Sequence, residues 1–464
     1  MDLPQLYCQN LERLLADYTP TRLVVAFSGG LDSTVLLDLT CQYAAQHQLP
    51  VIAFHINHNL SPNAKQWQNH CQRLAIQLGC DFVAKQVEVK STGKGVEEAA
   101  RAKRYQAFEV FLEATDVLLL GHHLQDQLET LLFRFCRSSG VSGLAGMPNS
   151  RMIGKARLFR PLLEYTKTDL LHYAEQHQLI WVEDESNKTL DFSRNFLRHE
   201  ILPKLECHWP NLYRQLIGTK EHCQDAASIL EDMAQLDYQA AQVSPPAHWS
   251  KGLLVQPLSC QQLLQLSSPR RHNLIRYWLK RVDINITRPL LLEVENSLLM
   301  AAEDAMPTIV VGSGDGFGAL RCFQDGLFFL PESLARWLPT TQQVEWGWQK
   351  HETIDLVGNG QLFCYQSGGE VSAAKLKGKT LKVAYREQLN IDKFAIPGRQ
   401  GRKTLKRWFQ EYQIPPWLRE RWPLLVVGSE LVAIPGLLVN QAFACEDGEL
   451  SLSFQWELFS PLVR

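Results

Sequence analysis

Residues 28–33 read Ser-Gly-Gly-Leu-Asp-Ser, a set that offers a phosphate most of what it needs and, in Asp32, one group it should avoid. The stretch follows an apolar run, RLVVAF (22–27), and leads into LDSTVLLDLTCQYAAQH, whose apolar residues recur at helical period. A loop between a strand and a helix aims successive backbone N–H groups at one spot, and the helix dipole adds to their pull on an anion. Gly29 and Gly30 permit unusual φ and a close approach of phosphate oxygens, Leu31 adds its own N–H, and Ser28 and Ser33 add hydroxyl donors. Asp32 makes sense beside phosphates when it holds a magnesium ion against them. The same residues would also serve as a tight turn with Asp32 capping the helix. A Walker A loop is excluded, because the lysine of G-x-x-x-x-G-K-S/T is missing.

Further stretches carry groups that handle charge. HINHNLS (55–61) ends the second predicted strand, where a doubly wound fold puts its binding loops. EEAARAKRY (97–105) places Arg101 and Arg104 at i, i+3 on one helix face, able to fork towards a phosphate or to form a solvated salt-bridging surface. GHHLQDQLET (121–130) follows another predicted strand. Its His122, Asp126 and Glu129 fall at i, i+4 and i+7, so one face presents an imidazole and two carboxylates. No further ligands with matching spacing accompany them, which argues against zinc. The eleven cysteines include no C-x-x-C pair, which argues against a zinc ribbon, an iron–sulfur cluster and a disulfide framework.

These groups need strands and helices to hold them. Strands are predicted at 22–27, 51–57, 81–89 and 116–121, with IWVED (180–184) as a later one, and the segments between them have helical period. Such alternation predicts an α/β domain with a doubly wound, mainly parallel sheet. The pattern from Asn211 to Gln242 is continuously helical and breaks at SPPAHWSKG (244–252), a predicted boundary. Three domains are expected over 1–215, 216–335 and 345–464: the α/β domain, a small mainly helical domain ending in a Gly-rich hairpin, and an α+β domain with one helix at 402–412. The 464 residues suit two or three domains of ~100–200 residues. With 45% hydrophobic and 21% charged residues the composition is globular, and the net charge of −2 advertises no global nucleic-acid field. The N-terminus lacks a secretory signal and no apolar run is long enough to span a bilayer, so a cytoplasmic location is expected.

Ser-Gly-Gly-Leu-Asp-Ser resembles the pyrophosphate-binding loop of the ATP-pyrophosphatase (PP-loop) superfamily, whose adenine nucleotide α-hydrolase-like members split ATP between its α and β phosphates. Taken with SGVSGLAGMP (139–148), RPLL (160–163), WVEDESN (181–187) and SRNFLRHEILPKL (193–205), the motifs resemble one family in order and spacing, tRNA(Ile)-lysidine synthetase. The likeness covers most of 23–205 and resumes over 396–439. One departure is Gln125, where many members carry the first of two paired acids. The resemblance implies a ligase that uses ATP to adenylate the wobble cytidine of the isoleucine tRNA with a CAU anticodon. The amine of L-lysine then displaces AMP to form lysidine. It further implies that residues 28–33 hold ATP, with Asp32 on Mg2+. Arg104 and His122 would stabilise charge at the reacting base and phosphate, while Asp126 and Glu129 would attract lysine and take its proton. A homodimer is left open, and no membrane partner is implied.

A tRNA needs phosphate contacts. Arg402, Lys403, Lys406 and Arg407, with Arg399, Arg419 and Arg421 nearby, supply a local basic surface, while the interleaved tryptophans are expected to be core. Arg194 and Arg198 form a second candidate patch, and 268–281 a third. A PP-loop tRNA thiolase is the rival reading, and such enzymes commonly rely on a cysteine pair. Asparagine and GMP synthetases of the superfamily usually draw ammonia from a glutaminase domain, and none is expected in the fewer than thirty residues ahead of the loop.

Overall fold

The apolar run after Thr21 forms β1 (Arg22–Ala26), and Leu23, Val24 and Val25 are fully buried, as expected for a strand covered on both faces. A computed structural model describes residues 2–458 apart from 59–62, 89–95, 184–192, 247, 249–252, 302–304, 313–316, 337–342, 350–351, 367–368 and 392. The chain divides into two compact units, Met1–Ile229 and Leu230–Arg464.

In the first unit, β1, β2 (Val51–Asn57), β3 (Asp81–Gln86), β4 (Asp116–Leu119) and the hairpin β5 (Ser150–Ile153) and β6 (Ala156–Phe159) form one six-stranded sheet. The spatial order is β3-β2-β1-β4-β6-β5, parallel except for β5 against β6. The helices are α1 (Leu3–Leu15), α2 (Leu31–His47), α3 (Ala64–Gln77), α4 (Val96–Phe111), α5 (Leu124–Cys136), α6 (Val141–Leu144), α7 (Lys167–Gln176), α8 (Ser193–Phe196), α9 (Leu202–His208) and α10 (Leu212–Ala241). Strand alternation sorts the core. Leu23, Val25 and Phe27 pack with α1, α2 and α7, and Val24 packs with Phe108 of α4 on the other face. Each such fully buried side chain contributes about 1.5–3 kcal/mol through apolar surface removed from water. At the amino edge Arg22 donates to both oxygens of buried Asp116, at 2.6 and 2.8 Å, locking β1 to β4 in register. Because β1 lies between β2 and β4, the loops leaving β1 and β4 diverge at the carboxyl edge and open a crevice.

Two expectations change here. The IWVED stretch adds no strand over its described residues, because Val182 spends its N–H on the Gly29 carbonyl at 2.9 Å. The sheet grows instead through the unforeseen β5–β6 hairpin.

In the second unit, helices at Ser268–Lys280 and Arg288–Glu293 bury Leu274, Ile275, Trp278 and Leu291 against a four-stranded antiparallel sheet that includes Gly318–Phe323 and Gly326–Pro331. The last turns of α10 supply Tyr238 and Ala241 to the same core, and the division between the two compact units falls inside that helix. The C-terminal part has a five-stranded and a four-stranded antiparallel sheet facing each other across Trp346, Leu362, Val383, Leu425 and Phe454. Helix Leu405–Glu411 covers the outer face of the five-stranded sheet through Trp408 and Phe409. Among the described residues, no helix is long and apolar enough to cross a membrane.

Candidate active site

Phe27 to Gly30 leave β1 at the crevice, and α2 starts at Leu31 with Gly30 as its N-cap and no side chain capping it. The Ser33 hydroxyl shapes the loop. It accepts from the N–H groups of Ser28 and Gly29, both at 3.2 Å, and donates to the Gly30 carbonyl at 3.0 Å. Gly29 has φ +86°, and a Cβ there would lie 2.7 Å from buried Cys71 Sγ. Left-handed backbone without glycine costs about 1–3 kcal/mol before any clash is counted. Gly29→Ala should therefore lower the melting temperature and weaken ATP binding. Adding Cys71→Ala should recover only the share due to the clash, as a double-mutant cycle by thermal melting and nucleotide titration would read.

Across the crevice, Gly121 follows two residues after β4, and its missing side chain lets it approach the first turn of α2: a Cβ would lie 3.1 Å from the Asp32 carbonyl. That approach sets His123 against Asp32. His123 caps α5, its Nδ1 accepting the Gln125 N–H at 3.2 Å, while its backbone N–H donates to Asp126 at 3.0 Å. With Nδ1 an acceptor, Nε2 carries a proton and lies 3.6 Å from both Asp32 and Asp126. Arg198 enters from a π-helical turn, Leu197–Ile201, the kind of irregularity that re-aims side chains at functional sites. Its guanidinium forks onto Glu129, at 2.5 and 2.9 Å, and reaches Asp126 at 3.2 Å. Asp32, His123, Asp126, Glu129 and Arg198 thus form one network beside the loop.

The carboxyls are not equivalent. Burial pushes Asp32 up, with His123 opposing and Asp126 reinforcing. Burial also pushes Glu129 up against the pull of Arg198. Asp126 lies below the usual carboxylate range: burial acts upward, but His123, His122, the His123 N–H and Arg198 outweigh it. His122 is held neutral, pushed down to about 3 by burial and by Arg160, Arg104 and Arg101, which outweigh Asp126. Arg160 donates to its Nδ1 at 3.1 Å, leaving the proton on Nε2.

Known proteins match the chain in the same order as these elements. A PP-loop domain model matches residues 5–205, a TilS substrate binding domain 258–328 and a TilS substrate C-terminal domain 376–456. The tRNA(Ile)-lysidine synthase of Pseudomonas aeruginosa is 39% identical over 422 residues, covering 89% of this chain and 90% of its own. That of Coxiella burnetii is 34% identical over 428 residues, covering 92% and 91%. The chain belongs to the tRNA(Ile)-lysidine synthase family. It is accordingly a PP-loop enzyme of tRNA modification that uses ATP.

For a lysidine synthase, the residues expected from sequence are distributed as follows. The loop residues 28–33, His122, Asp126 and Glu129 line one crevice, and Arg104 stands close enough to depress both His122 and His58. His55 bonds the Phe27 carbonyl at 2.9 Å, and the buried His58 Nδ1 has no partner among the described residues. Positions 59–61 of that motif, 184–187 of WVEDESN and the side chain of Arg194 lie outside the described residues. Gln125, at the departing position, accepts the Lys167 N–H at 2.8 Å and so ties α7 to α5. Arg198 was expected on a tRNA-facing patch; the structure turns it onto Glu129 and Asp126. Arg421 was expected among the phosphate contacts, but it is buried and bonded to Asn359 and the carbonyls of Ser333 and Gly358. His123 and Arg160 were missed. The H-x-x-D capping pattern, with His123 at the N-cap and Asp126 at N3, was the signal for the first, and the RPLL motif (160–163), which Arg160 opens, was the signal for the second.

Proposed function

We propose that the chain ligates L-lysine to the wobble cytidine of the isoleucine tRNA bearing a CAU anticodon, releasing AMP and pyrophosphate. The observation that carries the reading is the carboxylate–guanidinium network placed against the Ser-Gly-Gly-Leu-Asp-Ser loop at the carboxyl edge of a parallel sheet. In the first step the carbonyl oxygen of the base attacks the α-phosphate, and the bond to the pyrophosphate leaving group breaks. The loop N–H groups and hydroxyls bind that leaving group. Neutral His122 presents its Nε2–H as a hydrogen-bond donor, and Arg104 and Arg160 add fixed positive charge near the reacting oxygens. In the second step the lysine amine attacks the base carbon and AMP departs with its bonding pair. Asp126, held ionised, supplies fixed negative charge for a cationic amino acid; Glu129, shifted upward, is the better proton acceptor.

Mg2+ fits Asp32: its Oδ1 is buried with no partner among the described residues, an arrangement suited to a cation shared with ATP phosphates. Bound there, the ion would neutralise phosphate charge. Among the described residues, no three or more His, Cys, Asp or Glu side chains are arranged so that they could hold a metal ion by themselves, and Mg2+ ordinarily keeps substrate oxygens and waters among its ligands.

The test is incubation with ATP, labelled lysine and unmodified isoleucine tRNA. Label should enter the tRNA with matching release of AMP and pyrophosphate; folded protein that transfers none overturns the reading. We also assign tRNA contacts to the middle (216–335) and C-terminal (345–464) domains, and a cytoplasmic site of action. In the second of these domains Arg402, Lys406 and Arg407 are exposed, whereas Lys403 is engaged with Glu411 and the Trp408 ring. Trp408 and Trp422 are core. Lys406→Gln with Arg407→Gln should lower the salt slope of tRNA binding by about 1.8, or about 0.9 per lost duplex phosphate contact, and spare ATP affinity. An unchanged slope would move the contact surface elsewhere.

A further inference from the structure

The helix that carries Asp126 and Glu129 continues to a second place where charge collects. Asp126, Thr130, Phe133 and Arg137 recur at i, i+4, i+7 and i+11, one stripe along α5 and its C-cap. Beyond the carboxylates this stripe borders a cavity of about 340 Å3, roofed by Arg101 from α4 and Ser139 from the following loop. At 1.5 Å per residue the cavity begins about 6 Å from Asp126 along the helix axis and ends about 16 Å away. None of the groups assigned above to adenylation or to lysine lines it.

The lining is built to receive an anion beside a flat ring. Arg137 lies 4.2 Å over the Phe133 ring and is exposed. Arg134 donates to the carbonyls of Gly143 and Gly146, both at 2.8 Å, which fixes the loop from Ser138 to Met147. Gln127 anchors the same loop from below, exchanging two hydrogen bonds with Met147 at 2.9 and 2.6 Å. Arg101 lies over the Tyr105 ring and donates to its hydroxyl at 3.4 Å, but the structure shows no carboxylate paired with Arg101 or Arg137 among the described residues. A helix C-terminus attracts a cation and so accounts for one arginine, but not for guanidinia drawn from two helices around one cavity. Guanidinium and aromatic surfaces together are how proteins hold the backbone and splayed bases of single-stranded RNA.

We propose that this cavity binds a backbone phosphate of the RNA strand next to the target base, with the Arg137–Phe133 stack as a platform for a neighbouring base. The inference rests on the reading of tRNA as substrate. A base that enters the crevice must leave its flanking phosphates within a nucleotide or two of it, and the cavity lies at that range along α5. The phosphates of ATP already have the loop at 28–33, on the other side of the crevice.

The test uses the full-length enzyme with Arg101→Gln, Arg137→Gln and the double variant. Affinity for unmodified tRNA and for its isolated anticodon stem-loop is measured across salt concentrations, alongside ATP affinity and thermal melting. The double variant should weaken both RNAs about tenfold at physiological salt and lower the salt slope by about 0.7, from one single-strand phosphate. ATP affinity and melting temperature should not move. Unchanged slopes for both RNAs overturn the site. Loss confined to whole tRNA places the contact away from the anticodon, and weakened ATP binding with intact RNA slopes makes the phosphate a nucleotide's; either result also overturns it. Lysine transfer by the unaltered enzyme tests the substrate reading separately, so wild-type transfer with unaltered variant slopes refutes the cavity alone.

Discussion

Asp32→Ala should reduce tRNA-dependent pyrophosphate release by about 10³-fold, the upper range for removing one preorganised electrostatic group, while leaving the fold no less stable. The two halves of this result have one cause. Asp32 is partly exposed near Asp126, but its Oδ1 is buried and unpartnered among the described residues, and this desolvation raises its folded-state pKa. For a carboxyl raised on folding, the cost to stability is absent below the ordinary carboxylate range and grows as pH rises through the folded value. The variant should therefore melt no lower than the parent at pH 5 and higher at pH 8, measured without nucleotide. Asp32→Asn, nearly isosteric, should share the catalytic loss and need a higher Mg2+ concentration for its remaining activity. Full activity in either variant would end the magnesium assignment. A melting temperature that falls most at pH 8 would show that Asp32 is a stabilising partner of His123 instead.

How much of this was legible beforehand follows from what each signal depends on. The phosphate loop and the alternation of strands and helices rest on local chemistry: glycine where φ is positive at Gly29, apolar runs with period two or 3.6, acids at helical spacing. Those features place residues 28–33, Asp126 and Glu129 in one crevice once the sheet is parallel. The β5–β6 hairpin was hidden because RMIGKARLF mixes charged residues into short strands, and its register is set by pairing with β4. IWVED has strand composition, but its backbone is captured by Gly29, a contact between residues far apart in sequence. The largest gap concerns arginine. Arg198 and Arg421 look alike as letters in basic stretches and Arg160 opens the apolar RPLL, yet each is turned inward onto a partner that only the tertiary fold supplies.

Arg198→Ala should cost about 3 kcal/mol at pH 8, near the low end for breaking a buried ion pair because the guanidinium is itself partly exposed. The Glu129 side chain is only 2% exposed, so removing the fork strands a carboxylate that burial already pushes upward. The sign of the pH dependence follows. With its partner gone the Glu129 carboxyl rises further, so the deficit is smallest below the ordinary carboxylate range and widens as pH rises through the folded value. Glu129→Gln in the same background should restore most of the stability, with a coupling of about 2 kcal/mol in a double-mutant cycle by denaturant melts, but not the activity. Arg198→Lys should recover charge without the two-pronged geometry and so rescue stability better than turnover. The salt dependence of tRNA binding then separates the two roles open to this residue. If Arg198 works by holding Asp126 and Glu129, Arg198→Ala leaves the slope unchanged while kcat collapses. If it grips a phosphate, the slope falls by about 0.7–0.9 and kcat falls only as far as binding does. The bidentate pairing to a buried acid favours the first outcome, because a guanidinium forked onto Glu129 and touching Asp126 has few donors left to offer the RNA.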